Sequence, residues 1–201
     1  MGRPRSFDEP QVLRRARETF HDHGYTATSI ELLSEATGLN RSSLYGAFGD
    51  KHGLFMHSFA QYCEEDGRLI EEELSGDDAG ALNRVRRHFH LKTGDPTASR
   101  RGCLLAKSTA ELASADPEVA GMAKAFYANY ERALAHCVGQ AQAVGDLRAD
   151  IAAADAGAML LAALRGIEAL GRAGRSRRAL RRIADTTLNS LAAAPRPGAA
   201  P

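Results

Sequence analysis

The chain has 201 residues, of which 44% are hydrophobic and 25% charged, and its net charge at neutral pH is +1. This composition excludes a disordered or fibrous protein, and the length suffices for one or two domains with a buried core. The small net charge excludes a uniformly basic nucleic-acid-binding protein, so an argument for DNA binding must depend on where the charges lie. We find no apolar run of about eighteen residues and no signal peptide, so we expect a cytoplasmic protein that does not span a membrane.

Apolar residues recur at helical spacing along the chain, and no segment alternates with a period of two, so we predict an all-α fold. The first helix is predicted over 9–23. Asp8 is its expected N-cap and Pro10 lies in its first turn, while Gly24 gives the helix a natural end.

Two short predicted helices follow, joined by a glycine turn. Thr28 and Glu31 have the spacing of a capping box, so the second helix is expected to begin at Thr28 and to end before Gly38. Asn40 is the expected N-cap of a third helix that runs to about Phe48. Two capped helices around a tight turn are the pattern of a helix-turn-helix motif.

The content of the third helix makes this interpretation more specific. Leu44 and Phe48 are four residues apart, so they share the inner face of the helix. No acidic residue occurs between Ala36 and Gly49. The solvent-facing side and the N-terminal end of this helix carry side chains of the types that donate hydrogen bonds to phosphates and base edges. These are Asn40, Arg41, Ser42, Ser43 and Tyr45.

A long fourth helix is predicted over 51–74, starting after the cap residue Asp50, and its second half is rich in Asp and Glu. A turn cluster at 75–80 separates this helix from the rest of the chain. Further helices are predicted from periodicity and capping signals near 79–93, 101–114, 116–144, 152–173 and 175–193.

Residues 7–59 resemble the N-terminal domain of the TetR family of transcriptional regulators. The matching positions are Phe20 and the segments 24–30, 36–39, 43–51 and 54–55. Within them, Leu-Tyr-x-x-Phe followed by a short loop and a lysine at the next helix start is highly specific. The chain departs from the pattern at Gly46 and Ala47, where many relatives carry larger polar residues.

The resemblance implies an all-α homodimer that places one recognition helix per subunit in the major groove of double-stranded DNA. It implies phosphate contacts from Thr28, Tyr45 and Lys51. It also implies that bases are read by Arg41, Ser42 and Ser43, with Asn40 beside them. Taken alone, Tyr45 could equally be a packing residue and Lys51 a solvated one.

The N-terminal residues Arg3 and Arg5 could reach the DNA as a basic arm. We accordingly expect a helix-turn-helix DNA-binding domain over 1–50, linked by the helix 51–74. A larger helical domain for ligand binding and dimerisation is expected over 51–193, with a disordered tail at 194–201.

These features predict a repressor that a small molecule or a thiol modification releases from a palindromic operator, with activation as the alternative. The inducer is not identified by the sequence. Residues expected to line its site, or to act as a sensor, are Phe89, Cys103, Lys107, Phe126, Tyr127 and Tyr130.

Cys103 is the candidate with the most specific sequence signal. It is predicted to lie near a helix N-terminus, beside Arg101 and one turn before Lys107, and such surroundings favour a thiolate. The segment Gly-Cys-Leu is similar to that of NemR-like regulators, in which this cysteine is a sensor. The alternative is a small packing residue. With three cysteines and no secretion signal, we expect no disulfide framework.

The last two predicted helices are the expected dimer interface, through Met159, Ala163, Ile167, Leu170, Leu180, Ala184 and Leu188. The alternative for each is intramolecular core. The stretch 172–182 holds six arginines. We interpret it as a solvated turn that partly faces the acidic fourth helix, and a second nucleic-acid site is the alternative.

An enzyme and a DNA-independent protein adaptor are the competing classes. The sequence has no HExxH, paired-cysteine zinc spacing, P-loop or G-x-S-x-G motif, so no catalytic residue, metal or cofactor is predicted. DNA binding would separate a regulator from both alternatives.

Overall fold

The structure is a computed structural model that describes residues 7–93 and 102–193. Arg3, Arg5, Arg101 and the tail 194–201 lie outside the described residues. The described chain is helical, apart from one isolated bridge between Leu147 and Ala192. Its helices are α1 (Glu9–His23), α2 (Ile30–Thr37), α3 (Arg41–Phe48), α4 (Lys51–Leu74), α5 (Ala81–Lys92), α6 (Leu104–Leu112), α7 (Pro117–Ala143), α8 (Ala153–Arg172) and α9 (Arg177–Asn189).

The all-α prediction is confirmed, and most helix boundaries fall within about three residues of those expected. The signals that predicted them are local ones. The Asp8 carboxylate accepts a hydrogen bond from the amide of Gln11 at 3.1 Å, and Gly24 ends α1 with φ of 83°. A residue with a β-carbon rarely adopts such a conformation, which explains glycine at this position. None of the described helices is long and apolar enough to cross a membrane.

The described residues form two compact units. The first contains residues 7–66 and Leu104–Lys124, and the second contains 67–93, 102–103 and 125–193. Helices α4 and α7 therefore each contribute residues to both units. The first unit is larger than the expected domain 1–50, because it also includes residues 51–66 of α4, all of α6 and the beginning of α7.

Aromatic side chains form the core of the first unit. Phe20 packs edge-on against Phe55 with ring centroids 5.2 Å apart, and Phe55 stacks on Phe59 at 5.3 Å. Leu33 of α2 and Leu44 of α3 are also fully buried. Burying side chains of this size contributes about 1.5–3 kcal/mol each, so the two short helices are held by packing rather than by their own helix propensity.

The second unit is built from α5, α8, α9 and the ends of α4 and α7. A β-carbon on Gly157 would lie 2.9 Å from the backbone nitrogen of Ala135, so glycine allows α8 to approach α7 closely. The buried Arg84 donates to the carbonyl oxygens of Leu74 and Asp77 at 3.1 and 2.6 Å. These bonds satisfy a guanidinium that burial would otherwise destabilise, and they fix the end of α4.

Candidate nucleic-acid interface and sensor region

Helices α2 and α3 are joined by a tight turn with a cap on each helix. The Ser29 hydroxyl accepts from the amide of Leu32 at 3.2 Å, and the Asn40 side chain accepts from the amide of Ser43 at 2.8 Å. Between them Gly38 has φ of 75°, a left-handed conformation that ends α2. Asn40 caps α3 as expected, whereas the cap of α2 is Ser29 and not Thr28.

Thr28 is 1% exposed, and its hydroxyl donates to the carbonyl of Gly24 at 2.5 Å. The hydroxyl thus faces the interior, and the family-based expectation of a phosphate contact from this side chain stays a prediction that would require the hydroxyl to leave the Gly24 carbonyl. The physical reason for the inward position is the one-residue shift of the cap. Ser29 takes the position that precedes the helix, and the Thr28 hydroxyl bonds the loop backbone at Gly24.

One face of α3 is buried and the other is open. Leu44 and Phe48 are 1% and 6% exposed, whereas Arg41 and Ser42 are exposed. The Arg41 guanidinium lies over the half-buried Tyr45 ring, 5.1 Å from its centroid. The helix thus presents a cation, hydroxyl groups and an aromatic edge on a surface that has no acidic residue of its own.

Two further features of this surface are relevant to a close partner. Asn40 is exposed although its side-chain oxygen is used by the cap, and Ser43 is half-buried. A β-carbon on Gly46 would meet nothing within 4 Å, so glycine is not required by any contact inside the described chain. Its place on the open face leaves room for a ligand to approach the backbone.

Glu31, which the sequence analysis considered only as part of a capping box, is an acidic residue near this surface. Hydrogen bonds with its own backbone amide and with Ser29, together with the charge of Arg41, hold its pKa below the ordinary value. Its carboxylate is therefore ionised at neutral pH and attracts Arg41.

Lys51 has an internal role. Its ammonium donates to the carbonyl oxygens of Tyr25 and Thr28 at 3.0 and 3.1 Å and lies 4.3 Å from the centroid of the Tyr25 ring. These contacts tie the start of α4 to the loop between α1 and α2. One N–H of the ammonium is left for another acceptor, so a phosphate contact from Lys51 stays a prediction.

Helix α6 binds the same loop from the other side, within the first unit. The Lys107 ammonium donates to the carbonyl oxygens of His21 and Asp22 at 2.7 and 3.2 Å. The Glu111 carboxylate accepts from the amides of Tyr25 and Thr26 at 3.0 and 2.7 Å. We refer to these four bonds as the α6 clamp. Through them Lys107 supports the helix-turn-helix, and its expected role as a ligand or sensor residue stays a prediction.

The α6 clamp depends on an ionised Glu111. Burial raises the pKa of this carboxyl, but hydrogen bonds from Thr26 and Tyr25 and the charge of Lys107 outweigh burial and leave the pKa below its usual value. A second link lies nearby, where His52 of α4 is 2.7 Å from the carboxylate of Asp116. That hydrogen bond lowers the pKa of Asp116, which also caps α7.

The aromatic candidates of the second unit lie together. Phe126 contacts the rings of Tyr127 and Tyr130, each with centroids 6.2 Å apart. Phe89 and Tyr130 are buried, and Tyr127 is half-buried. Burial raises the pKa of Tyr127, and the nearby Cys103 raises it further. Cys103 therefore lies close to this cluster.

Arg165 is a central residue of the cluster that the sequence analysis missed. Its guanidinium lies 5.5 Å from the Tyr130 centroid and 5.8 Å from that of Tyr127, and it pairs with Glu168 at 3.0 Å. Its Nε is buried without a hydrogen-bond partner among the described residues. Burial alone would lower the pKa of Arg165, but the charges of Glu168 and Cys103 raise it. The one sequence signal that could have indicated this site is the spacing of three residues between Arg165 and Glu168, which allows an ion pair on a helix.

His88 extends this polar network into the core. It is fully buried, contacts the Tyr130 hydroxyl through Nε2 and lies 2.5 Å from Glu73 through Nδ1. Burial lowers the pKa of His88, while the hydrogen bond from His88 lowers that of Glu73. We therefore assign a neutral His88 that donates from Nδ1 to an ionised Glu73 and accepts from the hydroxyl of Tyr130.

Two family comparisons cover most of the chain. Residues 12–57 match the family described as bacterial regulatory proteins, tetR family, and residues 78–187 match the tetracyclin repressor-like C-terminal domain. The chain belongs to the TetR family. The predicted recognition is thereby confirmed, and so is the class, a helix-turn-helix transcriptional regulator rather than an enzyme.

Known members of the TetR family resemble the chain over nearly its whole length. The HTH-type transcriptional repressor ComR of Escherichia coli (strain K12) is 29% identical over 189 residues, which are 93% of this chain and 90% of ComR. A cysteine mutant of the regulator CifR was solved with 26bp double-strand operator DNA, and its structure matches this chain with a TM-score of 0.76 and 26% identity. The match covers 94% of this chain and 100% of the CifR chain. The reduced form of E. coli NemR shares the fold, with a TM-score of 0.78 and 15% identity. The match covers 92% of this chain and 97% of the NemR chain.

The residues expected at the TetR-type dimer interface divide into two groups. Four are buried within the chain itself, at 1% exposure or less, and belong to the intramolecular core, namely Ile167, Leu180, Ala184 and Leu188. Met159 and Leu170 are 41% and 38% exposed, and Ala163 is half-buried. Ala162, Gly166 and Ala169 are also exposed on α8, so this helix carries an apolar seam that sequence analysis identified only in part.

Proposed function

We propose that this TetR-family protein is a homodimeric repressor that binds a palindromic operator through α3 of each subunit. The exposed polar face of α3 is the observation that carries the proposal. The names of its relatives support it, since ComR is a repressor and the CifR structure contains operator DNA. Binding to bacterial DNA would also agree with the cytoplasmic location expected from the sequence.

The exposed side chains of α3 suggest which residues would contact bases and which would contact phosphates. Arg41 and Ser42 are exposed and would read base edges, with Asn40 and Ser43 at the helix start beside them. Tyr45 and the remaining N–H of Lys51 would contact phosphates. In a dimer the two α3 helices would lie about 34–36 Å apart, which is one turn of B-DNA.

Dimerisation would use the seam formed by Met159, Ala162, Gly166 and Leu170 of α8. These residues are spaced by three or four, so they lie on one side of the helix and present small and apolar groups to solvent. The absence of a side chain at Gly166 would let two helices approach closely. With α9 alongside α8, two subunits would form a four-helix bundle.

Release from DNA would begin in the second unit with an inducer or a thiol modification at Cys103. The cluster of Tyr127, Tyr130 and Arg165 would bind the small molecule, because it combines apolar walls with a buried cation. Cys103 immediately precedes α6, and α6 holds the α1–α2 loop through Lys107 and Glu111. Movement of α6 would therefore change the position of α3 and the distance between the two recognition helices.

A fluorescence anisotropy titration with DNA flanking the gene of this protein tests the DNA-binding proposal. The variant Arg41→Ala/Ser42→Ala removes two exposed groups and no core contact. We expect it to lose about 10–100-fold in operator affinity, since each base contact contributes about 1–3 kcal/mol of discrimination. Arg178→Ala, an exposed arginine of the second unit, is the matched control and should retain wild-type affinity.

Salt and sequence dependence complete this test. Binding to the palindrome should weaken steeply as salt is raised from 50 to 200 mM, by about tenfold or more. Equal affinity for operator and scrambled duplex would contradict the proposal, as would an unchanged affinity of the α3 variant. A reporter gene under the same DNA separates a repressor from an activator by the direction of the change when the protein is removed.

The dimer is tested by sedimentation equilibrium. Ala162→Glu places a charge on the seam and should convert the dimer into a folded monomer, because an unpaired buried charge costs several kcal/mol. Ala154→Glu makes the same change on an exposed part of α8 outside the seam and should leave the dimer intact. A wild-type monomer, or an equal effect of both substitutions, would contradict this interface.

The thiol proposal is tested by treating the DNA-bound protein with N-ethylmaleimide. We expect mass spectrometry to find the modification at Cys103 and anisotropy to report release of the operator. Cys103→Ser should stay bound under the same treatment. Release of Cys103→Ser to the same extent as wild type would assign the response to Cys63 or Cys137, or to no specific thiol.

A further inference from the structure

A cationic groove lies on the surface of the second unit, between α5 and α9. Its volume is about 570 Å³, and the residues of interest along it are Arg86, Arg87, His90, Leu91, Arg177 and Arg181. Two members of the arginine-rich stretch 172–182 therefore face α5 rather than the acidic part of α4. The groove does not include any residue of the aromatic cluster around Arg165.

Most of the positive charge of the groove has no partner within the described part of the chain, and of its guanidiniums only that of Arg87 interacts with a carboxylate, that of Glu73. Arg86, Arg177 and Arg181 form no ion pair or hydrogen bond there. Arg87 makes one long hydrogen bond, 3.4 Å to the carbonyl oxygen of Glu73. The nearest carboxylate on α9, that of Asp185, is 2.7 Å from His90 and thus already engaged.

Other arginines of the second unit have a different environment. Arg84 donates to two carbonyl oxygens and to the side chain of Gln140 at 2.7 Å, Arg165 pairs with Glu168, and Arg148 with Asp150. Each of those guanidiniums has at least one charged or polar partner inside the chain. The groove arginines instead converge on an open cavity with their donors available, which is the arrangement of an anion-binding site.

We infer that this groove binds a small polyanionic molecule with phosphate or carboxylate groups and an apolar portion. Guanidinium groups bind both kinds of oxyanion through two parallel hydrogen bonds. The volume lies within the range of about 300–1,000 Å³ that is typical of small-molecule sites. Leu91, which is 54% exposed, supplies the apolar contact in the groove.

The test is isothermal titration calorimetry of the full-length protein at fixed ionic strength, with inorganic triphosphate, ATP and citrate as probes. At least one probe should bind with a Kd below about 100 μM. If triphosphate binds and citrate does not, the natural ligand carries phosphate groups. If citrate binds and triphosphate does not, the ligand is a polycarboxylate. If both bind, the groove is a general oxyanion site. Absence of measurable binding for all three overturns the inference.

Variants determine whether the groove is responsible. Arg86→Gln/Arg181→Gln should weaken the binding of the active probe at least tenfold. Arg178→Gln/Arg182→Gln removes the same charge from exposed positions of α9 outside the groove and should change the Kd less than twofold. An equal loss in both double variants would mean diffuse charge attraction and would overturn the site, provided that circular dichroism shows both to be folded.

Two further readouts separate the apolar contact and the DNA alternative. If ATP binds more tightly than triphosphate, Leu91→Ser should remove that advantage. If neither phosphate nor citrate binds but the groove variant loses affinity for random duplex DNA, the groove is a second nucleic-acid surface and the inference is wrong. Operator affinity without any probe should be unchanged in the groove variant, because the groove arginines belong to the second unit and α3 belongs to the first.

Discussion

The carboxylate of Glu111 is predicted to stabilise the first unit by holding the loop between α1 and α2. Replacing Glu111 by alanine removes the hydrogen bonds from the amides of Tyr25 and Thr26, at 3.0 and 2.7 Å. A hydrogen bond to a charged group contributes about 1.5–3 kcal/mol. Glu111 is exposed, so water competes for the same amides, and we expect the pair together to contribute about 1–2 kcal/mol.

Urea denaturation followed by circular dichroism, at one protein concentration, measures this contribution. With a slope of about 2 kcal/mol/M, Glu111→Ala should lower the midpoint of the first transition by about 0.5–1 M. Glu118→Ala removes an equal charge from an exposed carboxylate of the same unit that accepts none of these amides, and its midpoint should stay within about 0.2 M of wild type. Equal midpoints for the two variants would refute the clamp.

The same carboxylate gives the stability a defined pH dependence. Because the folded state lowers the pKa of Glu111, ionisation favours folding. The advantage of wild type over Glu111→Gln should be complete above the unfolded pKa of about 4.3 and should disappear as the pH falls through the lower folded pKa. A difference between the two proteins that is constant down to pH 2 would contradict an electrostatic clamp.

Three further predictions concern the helix-turn-helix and its support. Leu44→Ala should cost about 2–5 kcal/mol by opening a cavity under α3, measured by urea denaturation, and a cost below 1 kcal/mol would contradict the burial of this side chain. Gly38→Ala should cost about 1–2 kcal/mol because φ is 75°, with exposed Gly46→Ala as the control that should change stability by less than about 1 kcal/mol. Asp116→Asn keeps the cap but loses the charge paired with His52. Because the folded pKa of Asp116 is lowered, the advantage of wild type should be complete above the unfolded pKa of about 3.9 and should be lost as the pH falls through the lower folded pKa, so an advantage that is constant into strong acid would refute the pairing.

The positions of the helices were predictable because the signals that end a helix are local. Asp8, Asn40 and Gly38 each act within three or four residues of their own position, so their effect can be read without knowing the fold. Thr28 shows the limit of this approach. Thr28 and Ser29 are both good caps, and the choice of Ser29 depends on the Thr28 hydroxyl reaching the carbonyl of Gly24, a contact made after the loop has folded.

The contacts that support the candidate sites were harder to predict, because they join residues far apart in sequence. Lys107 and Glu111 lie more than eighty positions after the carbonyls and amides that they bind. Their spacing of four on one helix predicts a shared face but not what that face contacts. Arg165 was missed for a related reason. A charged residue in an apolar helix is normally interpreted as a surface residue, and only the folded structure shows its aromatic partners.

The strength expected for the Glu111 half of the α6 clamp would suit a contact that a ligand can release. A tenfold change in operator affinity corresponds to about 1.4 kcal/mol, which is within the 1–2 kcal/mol that we expect for the two Glu111 hydrogen bonds. A much stronger clamp could not be released by a ligand of ordinary differential affinity, and a much weaker one would not bias the position of α3. Because Cys103 directly precedes α6, a modification there would act on the element that holds the α1–α2 loop. The clamp, rather than the DNA-reading surface itself, is therefore where we expect induction to change the free energy.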